Sequence, residues 1–252
     1  MYMKTQRLDK ILSHHGYGSR KDAKKLMHKA LVKVNGEICT NADTPVDIDT
    51  DTVSVDGDVL QLRHHVYLML NKPSGIVCST KDGIHKTVID ILPPQYRVSF
   101  LGGDVHPIGR LDIDTEGLLL LTTDGELTHR LTSPKKHISK TYFLRLADET
   151  DKKTQEYYKD QCEKGFAVPH EGNEDGFITQ ESNLEWLNDK GTEALLTIYE
   201  GKYHQVKRML RTLGNEVVFL KRVAVGSLNL DDTLEPGECR ELFQTDLMKL
   251  NG

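Results

Sequence analysis

The sequence has no long apolar segment, and this absence excludes a whole class of protein. None of its hydrophobic runs approaches the roughly 20 residues that a helix needs to span a bilayer. The residues up to Arg7 lead into a charged helical pattern and do not form the apolar core of a signal peptide. We therefore expect a chain that has no membrane partner and is located in the cytoplasm.

Cysteine is scarce. The chain has four cysteines in 252 residues, and no two of them have CxxC spacing: Cys39, Cys78, Cys162 and Cys239. This pattern predicts neither a structural zinc site nor a disulfide framework, and we expect no metal and no cofactor. Hydrophobic residues make up 37% and charged residues 28%, which is ordinary for a globular protein with one or two domains.

An excess of positive charge is also missing, since the formal net charge is −5. By itself this value argues against a nucleic-acid-binding protein. The distribution reverses that impression: residues 1–36 have nine basic and two acidic side chains, a net charge of +7, whereas residues 37–64 have a net charge of −6. Phosphate binding depends on the local field, so the front segment is a candidate RNA-binding surface.

The front segment has the pattern of two short helices. The first covers 7–15, and Ser19 is a good N-cap for the second, with Asp22 placed to complete a capping box. In the second helix a basic stripe faces away from the apolar stripe; it consists of Lys21, Lys24, Lys25 and His28. This stripe is either a solvated helix face or a surface that contacts phosphates.

Two β-hairpins follow the helices. Asn35-Gly36 lies between 32–34 and 37–39 and is a strong type I′ turn signal. Asp56-Gly57-Asp58 separates 53–55 from 59–60 in the same way. Two helices on a small sheet resemble the S4-type RNA-binding domain, and the residues that match it are Arg7-Leu8-Asp9-Lys10-Ile11-Leu12, Gly18-Ser19-Arg20-Lys21-Asp22-Ala23 and Val32-Lys33-Val34-Asn35-Gly36. The resemblance implies that Arg20, Lys21, Lys24 and Lys25 bind RNA.

A polar connection over 61–65 leads to a second region. We predict a domain boundary between 1–62 and 63–252. Strand-like and turn-like segments alternate from 66 onwards, and helices are predicted at 87–92, 125–132, 151–164 and 203–213. The expected fold is α+β: a small S4-like α/β domain, then a domain with a mixed, largely antiparallel sheet flanked by helices.

The segment with the clearest chemical content is Gly109-Arg110-Leu111-Asp112-Ile113-Asp114-Thr115-Glu116-Gly117, which a buried strand pattern follows directly. On an extended chain Asp112 and Asp114 would lie on the same side. Composition alone leaves two interpretations open. The aspartates are turn and cap residues before a strand, or they are the paired carboxylates of a glycosidase.

The same segment resembles the catalytic motif of the pseudouridine synthases that act on ribosomal RNA. Three further segments match this family in the same order along the chain: Leu70-Asn71-Lys72-Pro73-Ser74-Gly75-Ile76-Val77-Cys78-Ser79, then Lys140-Thr141-Tyr142, and Glu200-Gly201-Lys202-Tyr203-His204-Gln205-Val206-Lys207-Arg208-Met209. An S4-type domain ahead of the catalytic domain is the arrangement of the subfamily of ribosomal small subunit pseudouridine synthase A.

The resemblance implies a role for each matching residue. Asp112 is the expected catalytic carboxylate at the ribose, and Lys207 is its expected cation, with Arg208 as the alternative. Tyr142 is expected to stack on the target base and to act as a base for a proton. Further substrate contacts are expected from Arg110, which would take the place of the flipped base or hold its phosphate, and from Asn71 and Lys72, which equally fit a packing role.

The expected partner is 16S rRNA or the assembling small subunit, and the chain is expected to be a monomer. One alternative is a related synthase that acts on 23S rRNA. Another is a non-catalytic S4-type protein of the ribosome, in which changing Asp112 would leave the function intact.

Overall fold

The computed structural model describes residues 5–60, 62, 65–97 and 103–250. It divides into two compact units. The first consists of the described parts of Met1–Tyr67, Leu92–His106 and Leu121–Gly125, and the second of Leu68–Ile91, Pro107–Leu120 and the described part of Glu126–Gly252. The polar connection predicted over 61–65 lies largely outside the described residues, and the boundary after residue 62 stays a prediction.

The first unit contains both helices and both hairpins predicted for the front segment. Its elements are β1 Thr5–Arg7, α1 Leu8–His14, α2 Arg20–His28, β2 Val32–Val34, β3 Glu37–Ile38, β4 Pro45–Asp47, β5 Val53–Val55 and β6 Asp58–Val59. The sheet has the order β3-β2-β5-β6. Asn35 and Asp56 both have a φ of 52°, and a glycine in the same region follows each, as a type I′ turn requires. The pairing of β1 with β4 was not predicted, because strands this short have no readable periodicity.

The core of this unit is built from the apolar faces of the two helices. Leu8, Ile11 and Leu12 of α1 are fully buried, as are Ala23 and Met27 of α2. They pack with valines of the small sheet in a single cluster. Since the apolar side of α2 is used for the core, its basic side faces the solvent.

The remaining elements form a larger α+β structure. They are β7 Tyr67–Lys72, β8 His106–Pro107, β9 Glu116–Thr122, α3 Gly125–Thr132, β10 Lys140–Leu146, α4 Lys152–Lys164, β11 Ala167–Val168, β12 Phe177–Ile178, β13 Asn183–Trp186, β14 Glu193–Ile198, α5 Gln205–Thr212, β15 Val217–Val225, β16 Leu228–Asn229, β17 Cys239–Glu241 and α6 Gln244–Lys249. Short 3₁₀ turns lie at Pro94–Tyr96 and Pro134–Lys136. The predicted helices at 125–132, 151–164 and 203–213 are confirmed within a few residues.

The large sheet has nine strands, with the order β13-β14-β10-β15-β9-β7-β17 and with β8 and β16 paired to β9 and β15. Strand β10 pairs antiparallel with both β14 and β15, whereas β15 pairs parallel with β9. This is the mixed, largely antiparallel sheet that the sequence predicts. Strands β7 and β9 are buried along almost their whole length, which explains why both read as continuous apolar runs.

Gly117 is required where β9 meets β15. Its φ is +98°, and an added Cβ would lie 2.2 Å from the carbonyl oxygen of Arg222. No other residue type fits this approach without moving a strand. The parallel pairing of Gly117 with Arg222 therefore determines where the segment before β9 lies on the sheet.

The predicted helix at 87–92 is wrong. The segment forms a turn, in which the Asp90 carboxylate accepts hydrogen bonds from the backbone and the hydroxyl of Thr87, at 2.8 Å each. The Asp90 amide returns a bond to the carbonyl of Thr87 at 3.1 Å. Pro93 and Pro94 follow at once and remove the donors that a continuing helix would need.

The helices of the second unit pack on the sheet through apolar faces. Helix α5 lies against β15, and α4 lies against β13. In the part of the chain that the structure describes, no helix combines the length and the apolar character needed to cross a membrane.

Candidate active site

A cavity of about 1040 Å³ opens in the second unit. Its walls come from the segment before β9, the first residues of β10, the residues around the start of α5, and β15. Clefts of this size, with a few polar groups among apolar side chains, are where small ligands and reacting groups bind. Asp112, Arg110 and Tyr142 all line it.

Asp112 lies in a turn and not on the extended chain that the sequence predicted. The Thr115 amide donates to the carbonyl oxygen of Asp112 at 3.2 Å. Lys72 Nζ donates to the carbonyl oxygens of Ile113 and Thr115, at 3.1 and 2.8 Å. The turn is therefore held from below by a buried ammonium group, and its carboxylates project from a fixed backbone.

The two carboxylates of the turn share one cation. Lys207 Nζ lies 2.6 and 2.7 Å from the two oxygens of Asp114, and 3.5 Å from Oδ2 of Asp112. Burial raises the pKa of Asp114, but the hydrogen bond and charge of Lys207 outweigh it, and the pKa lies below its usual value. Lys207 is thus closer to Asp114 than to the expected catalytic carboxylate, and it links both to α5.

Helix α5 delivers Lys207 through its amphipathic pattern. Val206, Met209 and Leu210 are buried against the sheet, as the spacing predicted. Lys207 lies off this stripe with 17% of its side chain exposed, and its ammonium group reaches Asp112, which lines the cavity. Arg208 is turned the other way: its side chain is 3% exposed, and Nη2 donates to the carbonyl oxygens of Pro169 and Asp175 at 2.8 Å each. The structure brings Lys207 to Asp112 and does not bring Arg208 there.

His204 is a site residue that the sequence reasoning did not single out. Its Nε2 lies 3.7 Å from Oδ1 of Asp112, which makes it an ion-pair partner only when the ring is protonated. Its ring stacks on Tyr203, with centroids 3.8 Å apart. His204 caps α5 with a φ of 46°, a left-handed conformation that is uncommon for a side-chain-bearing residue and is often seen at functional sites. The signal was its place three residues before Lys207 in a matched motif.

Tyr142 lies within the cavity wall. It is 8% exposed, lines the cavity from β10, and stands opposite Arg222 in the ladder between β10 and β15. An aromatic ring in this place can stack on a planar base that enters the cavity. Arg110 also lines the cavity but is exposed, so its guanidinium group is available to a ligand at the opening.

Asn71 and Lys72 act on the backbone in this structure. Asn71 Nδ2 donates to the carbonyl oxygen of Leu234 at 2.7 Å. Lys72 is fully buried, and burial lowers the pKa of its ammonium group. Neither side chain is among those that line the cavity. Both side chains hold backbone carbonyl groups in this structure, and a substrate contact of either residue stays a prediction.

The expected RNA-binding residues of α2 are exposed. Arg20, Lys21, Lys24 and Lys25 all face the solvent. Ser19 and Asp22 form the predicted capping box, and Asp22 also pairs with Lys25 at 3.0 Å. Apart from the pair of Lys25 with Asp22, these four basic side chains form no ion pair with the described residues, so their charges are accessible to phosphates.

Cys78 belongs to the cavity wall. Its Sγ accepts a hydrogen bond from the Leu111 amide at 3.3 Å, and burial raises the pKa of its thiol. A buried thiol with a raised pKa packs as a small apolar group. Within residues 5–60, 62, 65–97 and 103–250, no group of three or more His, Cys, Asp or Glu side chains is arranged to hold a metal ion.

The fold and the site together define the class of protein. A model of the RNA pseudouridylate synthases matches residues 66–212, and a model of the S4 domain matches residues 6–53. The chain belongs to the RNA pseudouridylate synthase family and carries an S4 domain ahead of the catalytic part.

Individual relatives match nearly the whole chain. It is 44% identical over 247 residues to an uncharacterized RNA pseudouridine synthase of Bacillus subtilis, covering 97% of this chain and 98% of the relative. It is 40% identical over 242 residues to the ribosomal small subunit pseudouridine synthase A of Escherichia coli, covering 96% and 98%. A crystal structure of a pseudouridylate synthase aligns with a TM-score of 0.64 and 38% identity, covering 97% of this chain and 99% of that one.

Proposed function

We propose that this enzyme converts one uridine of 16S rRNA into pseudouridine, with Asp112 as the catalytic carboxylate. The observation that carries the proposal is the placement of Asp112 at the cavity, 3.5 Å from Lys207 and 3.7 Å from His204. Relatives named ribosomal small subunit pseudouridine synthase A, about 40% identical over nearly the full length, support the choice of the small subunit.

The reaction moves one bond and changes no atom count. The bond between ribose C1′ and uracil N1 breaks, and its electron pair stays on the uracil ring. The electron-deficient C1′ is stabilised in one of two ways. Either the Asp112 carboxylate forms a bond to C1′, or C2′ loses a proton and a C1′–C2′ double bond forms. The ring then turns and a bond forms between C5 and C1′. In the first route the Asp112–C1′ bond breaks at this point, and in the second C2′ takes its proton back. The C5 hydrogen then leaves as a proton, and N1 takes up a proton.

Each side chain at the cavity has a part in this sequence. Lys207 stabilises the ionised carboxylate of Asp112 through its charge. Tyr142 stacks on the uracil and accepts a proton from C2′ or C5. Arg110, exposed at the opening, occupies the space of the flipped nucleotide or holds its phosphate.

The two regions divide the work in this proposal. Residues 1–62 bind rRNA, with the phosphates held by Arg20, Lys21, Lys24 and Lys25, and residues 63–252 carry out the reaction. The lysine side chains are exposed and distributed along one helix face, which suits the backbone of a nucleic acid. The enzyme acts as a cytoplasmic monomer on 16S rRNA or on the assembling small subunit.

The test is release of tritium from rRNA labelled at uridine C5, since that hydrogen must leave when C5 becomes the glycosidic atom. We expect the wild type to release tritium from 16S rRNA or its ribonucleoprotein particles, and Asp112→Asn to release none above background. Asp232→Asn, an exposed acid outside the cavity, serves as the matched control and retains activity. Tritium release from 23S rRNA alone would make 23S rRNA the target. Release from neither RNA would favour a non-catalytic role.

A further inference from the structure

Two cations line the inner wall of the cavity and are separate from the Asp112 and Lys207 pair. Lys140 begins β10, and Arg222 lies in β15, the neighbouring strand. Tyr142 is two residues after Lys140 and is the cross-strand partner of Arg222. All three side chains line the cavity, and the strand register places both cations near Tyr142, on whose ring the target base would stack.

Arg222 is buried, and no carboxylate of the described residues forms an ion pair with it. Its side chain is among the buried ones, 4% exposed, and Nε donates to the carbonyl oxygen of Leu118 at 2.8 Å. That bond anchors the guanidinium group of a residue that lines the cavity, and among the described residues the terminal nitrogens form no other hydrogen bond or ion pair. A buried charge without a partner is strongly unfavourable, so its retention needs a reason.

Lys140 is half-buried and also lacks an acid partner among the described residues. Its Nζ donates to the carbonyl oxygen of Ile138 at 3.1 Å and forms no ion pair with a described carboxylate. Burial lowers its pKa, and the charge of Arg222 lowers it further, while the charge of Glu200 acts in the opposite direction. Glu200 is already engaged by the Gln180 amide, by Gln205 and by Lys202, at 3.0, 2.7 and 3.2 Å.

Two neighbouring cations that pair with no carboxylate of the described residues can bind an anion. On these grounds we infer that Arg222 and Lys140 bind the uracil ring after it detaches from the ribose, when it carries a negative charge. The inference rests on the proposed function, because it assigns two further catalytic residues to the same reaction.

The depth of the pair favours the base over a phosphate. Arg222 is 4% exposed and belongs to an inner strand of the sheet. The flipped base is the part of the nucleotide that enters deepest, whereas its phosphate stays joined to the RNA chain at the opening. Arg110, which is exposed, is better placed for that phosphate.

Arg222 and Lys140 are expected to accelerate the reaction because the uracil ring becomes negatively charged only when it detaches. The uracil ring is neutral while it is joined through N1 and becomes anionic when the C1′–N1 bond breaks, with the charge shared among N1, O2 and O4. Donors that are already oriented toward these oxygens stabilise the detached ring more than the bound uridine, and such differential binding accelerates the step. The planar guanidinium group can also donate two parallel bonds to the ring edge.

The first test compares Arg222→Gln and Lys140→Met with the wild type in tritium release from a short RNA substrate. We expect kcat to fall about 100-fold for Arg222→Gln, with KM within about threefold of the wild type, since the lost interaction arises in the reaction. The matched control is Arg145→Gln, an exposed arginine on β10 that pairs with Glu193 and does not line the cavity. An Arg222→Gln enzyme with wild-type kcat would overturn the inference.

The second test does not depend on turnover. Barbiturate has a uracil-like ring that is anionic at neutral pH, and its affinity can be measured by calorimetry beside that of neutral uracil. We expect Arg222→Gln to weaken barbiturate binding at least about tenfold while uracil binding changes little, since a lost charged hydrogen bond is worth that much. Equal barbiturate affinity in both proteins would also overturn the inference.

A third measurement separates the base from a phosphate. An RNA with a neutral methylphosphonate next to the target uridine removes the phosphate charge. If the pair binds the base, Arg222→Gln lowers kcat by the same factor on this RNA. If the effect of the substitution disappears there, the pair holds a phosphate and the assignment to the base is wrong. A wild type that releases no tritium but binds barbiturate through Arg222 would contradict the proposed function and retain the anion site.

Discussion

The lysines of α2 and the cations of the cavity have the same charge in opposite surroundings. Lys21, Lys24 and Lys25 are exposed on a helix whose other side forms a core. Lys207 is 17% exposed between two carboxylates, and Arg222 is buried. Salt screens the attraction between exposed charges and a ligand. Charges in a drier cavity are held in a fixed orientation by the fold and are screened far less. The first arrangement suits binding of a long polyanion, and the second suits chemistry on one nucleotide.

The largest effect is expected where the cavity depends on a backbone contact. In Gly117→Ala the new Cβ would meet the carbonyl oxygen of Arg222 at 2.2 Å and separate β9 from β15. We expect a loss of about 3–5 kcal/mol in the free energy of unfolding, measured by urea denaturation. Gly125→Ala, at an open site in α3, is the control and should change stability by less than about 0.5 kcal/mol. A stable Gly117→Ala protein would show that the parallel pairing tolerates a side chain.

The second prediction tests whether Lys207 contributes to the chemical step. Lys207→Met removes the charge beside Asp112 and Asp114, and we expect kcat for tritium release to fall about 100-fold with little change in RNA affinity. The loss should be nearly the same at low and high salt, because the charge works at short range in the cavity. The control is Lys190→Met, an exposed lysine that pairs with Glu149 and does not line the cavity. A loss confined to RNA affinity would place Lys207 with the binding lysines.

The opposite behaviour is expected from the exposed lysines. In the triple change of Lys21, Lys24 and Lys25 to Ala, we expect RNA affinity to fall about tenfold or more at low salt. The slope of log affinity against log salt should decrease by about two to three, which is one contact per lysine.

The control for the α2 variant is the alanine change of three lysines exposed on α4: Lys152, Lys153 and Lys159. The RNA affinity of both variants is measured in filter-binding titrations at several salt concentrations. Turnover of a saturating short substrate should be unaffected in both proteins. Unchanged affinity and slope in the α2 variant would mean that its lysine stripe is only a solvated face.

The smallest effect concerns the second carboxylate of the turn. The pKa of Asp114 is lowered in the folded protein, so its ionised form adds stability above its ordinary pKa, and this contribution is lost as the pH falls through the folded value. Since 62% of the side chain is exposed, Asp114→Asn should cost less than about 1 kcal/mol at pH 7.

At a pH well below the folded pKa of Asp114 the two proteins should unfold at the same urea concentration, because Asp114 is then protonated in both states. Asp232→Asn, which changes an exposed acid, should match the wild type at either pH. If the stability difference between Asp114→Asn and the wild type persists in acid, it does not arise from the ion pair between Asp114 and Lys207.

Local pattern was sufficient for much of the first unit and for α5. The capping box of Ser19 and Asp22, the turn at Asn35 and the apolar stripe of α5 all involve residues within one or two turns of each other, where spacing and backbone preference decide the outcome. The helix predicted at 87–92 was wrong because the bonds between Thr87 and Asp90 compete with helical ones and two prolines follow.

The sequence by itself determined the class of protein, the order of its two regions and the candidate carboxylate, because its motifs resemble those of a known family and such motifs are residue types at fixed spacings. Only the tertiary structure decided that Lys72 is buried under the Asp112 turn, that Lys207 and not Arg208 reaches it, and that His204 completes its surroundings. It also placed Lys140 and Arg222, 82 residues apart, on neighbouring strands around Tyr142. Such contacts join residues that are distant along the chain, and they follow from strand order and the parallel pairing at Gly117, for which no local preference exists.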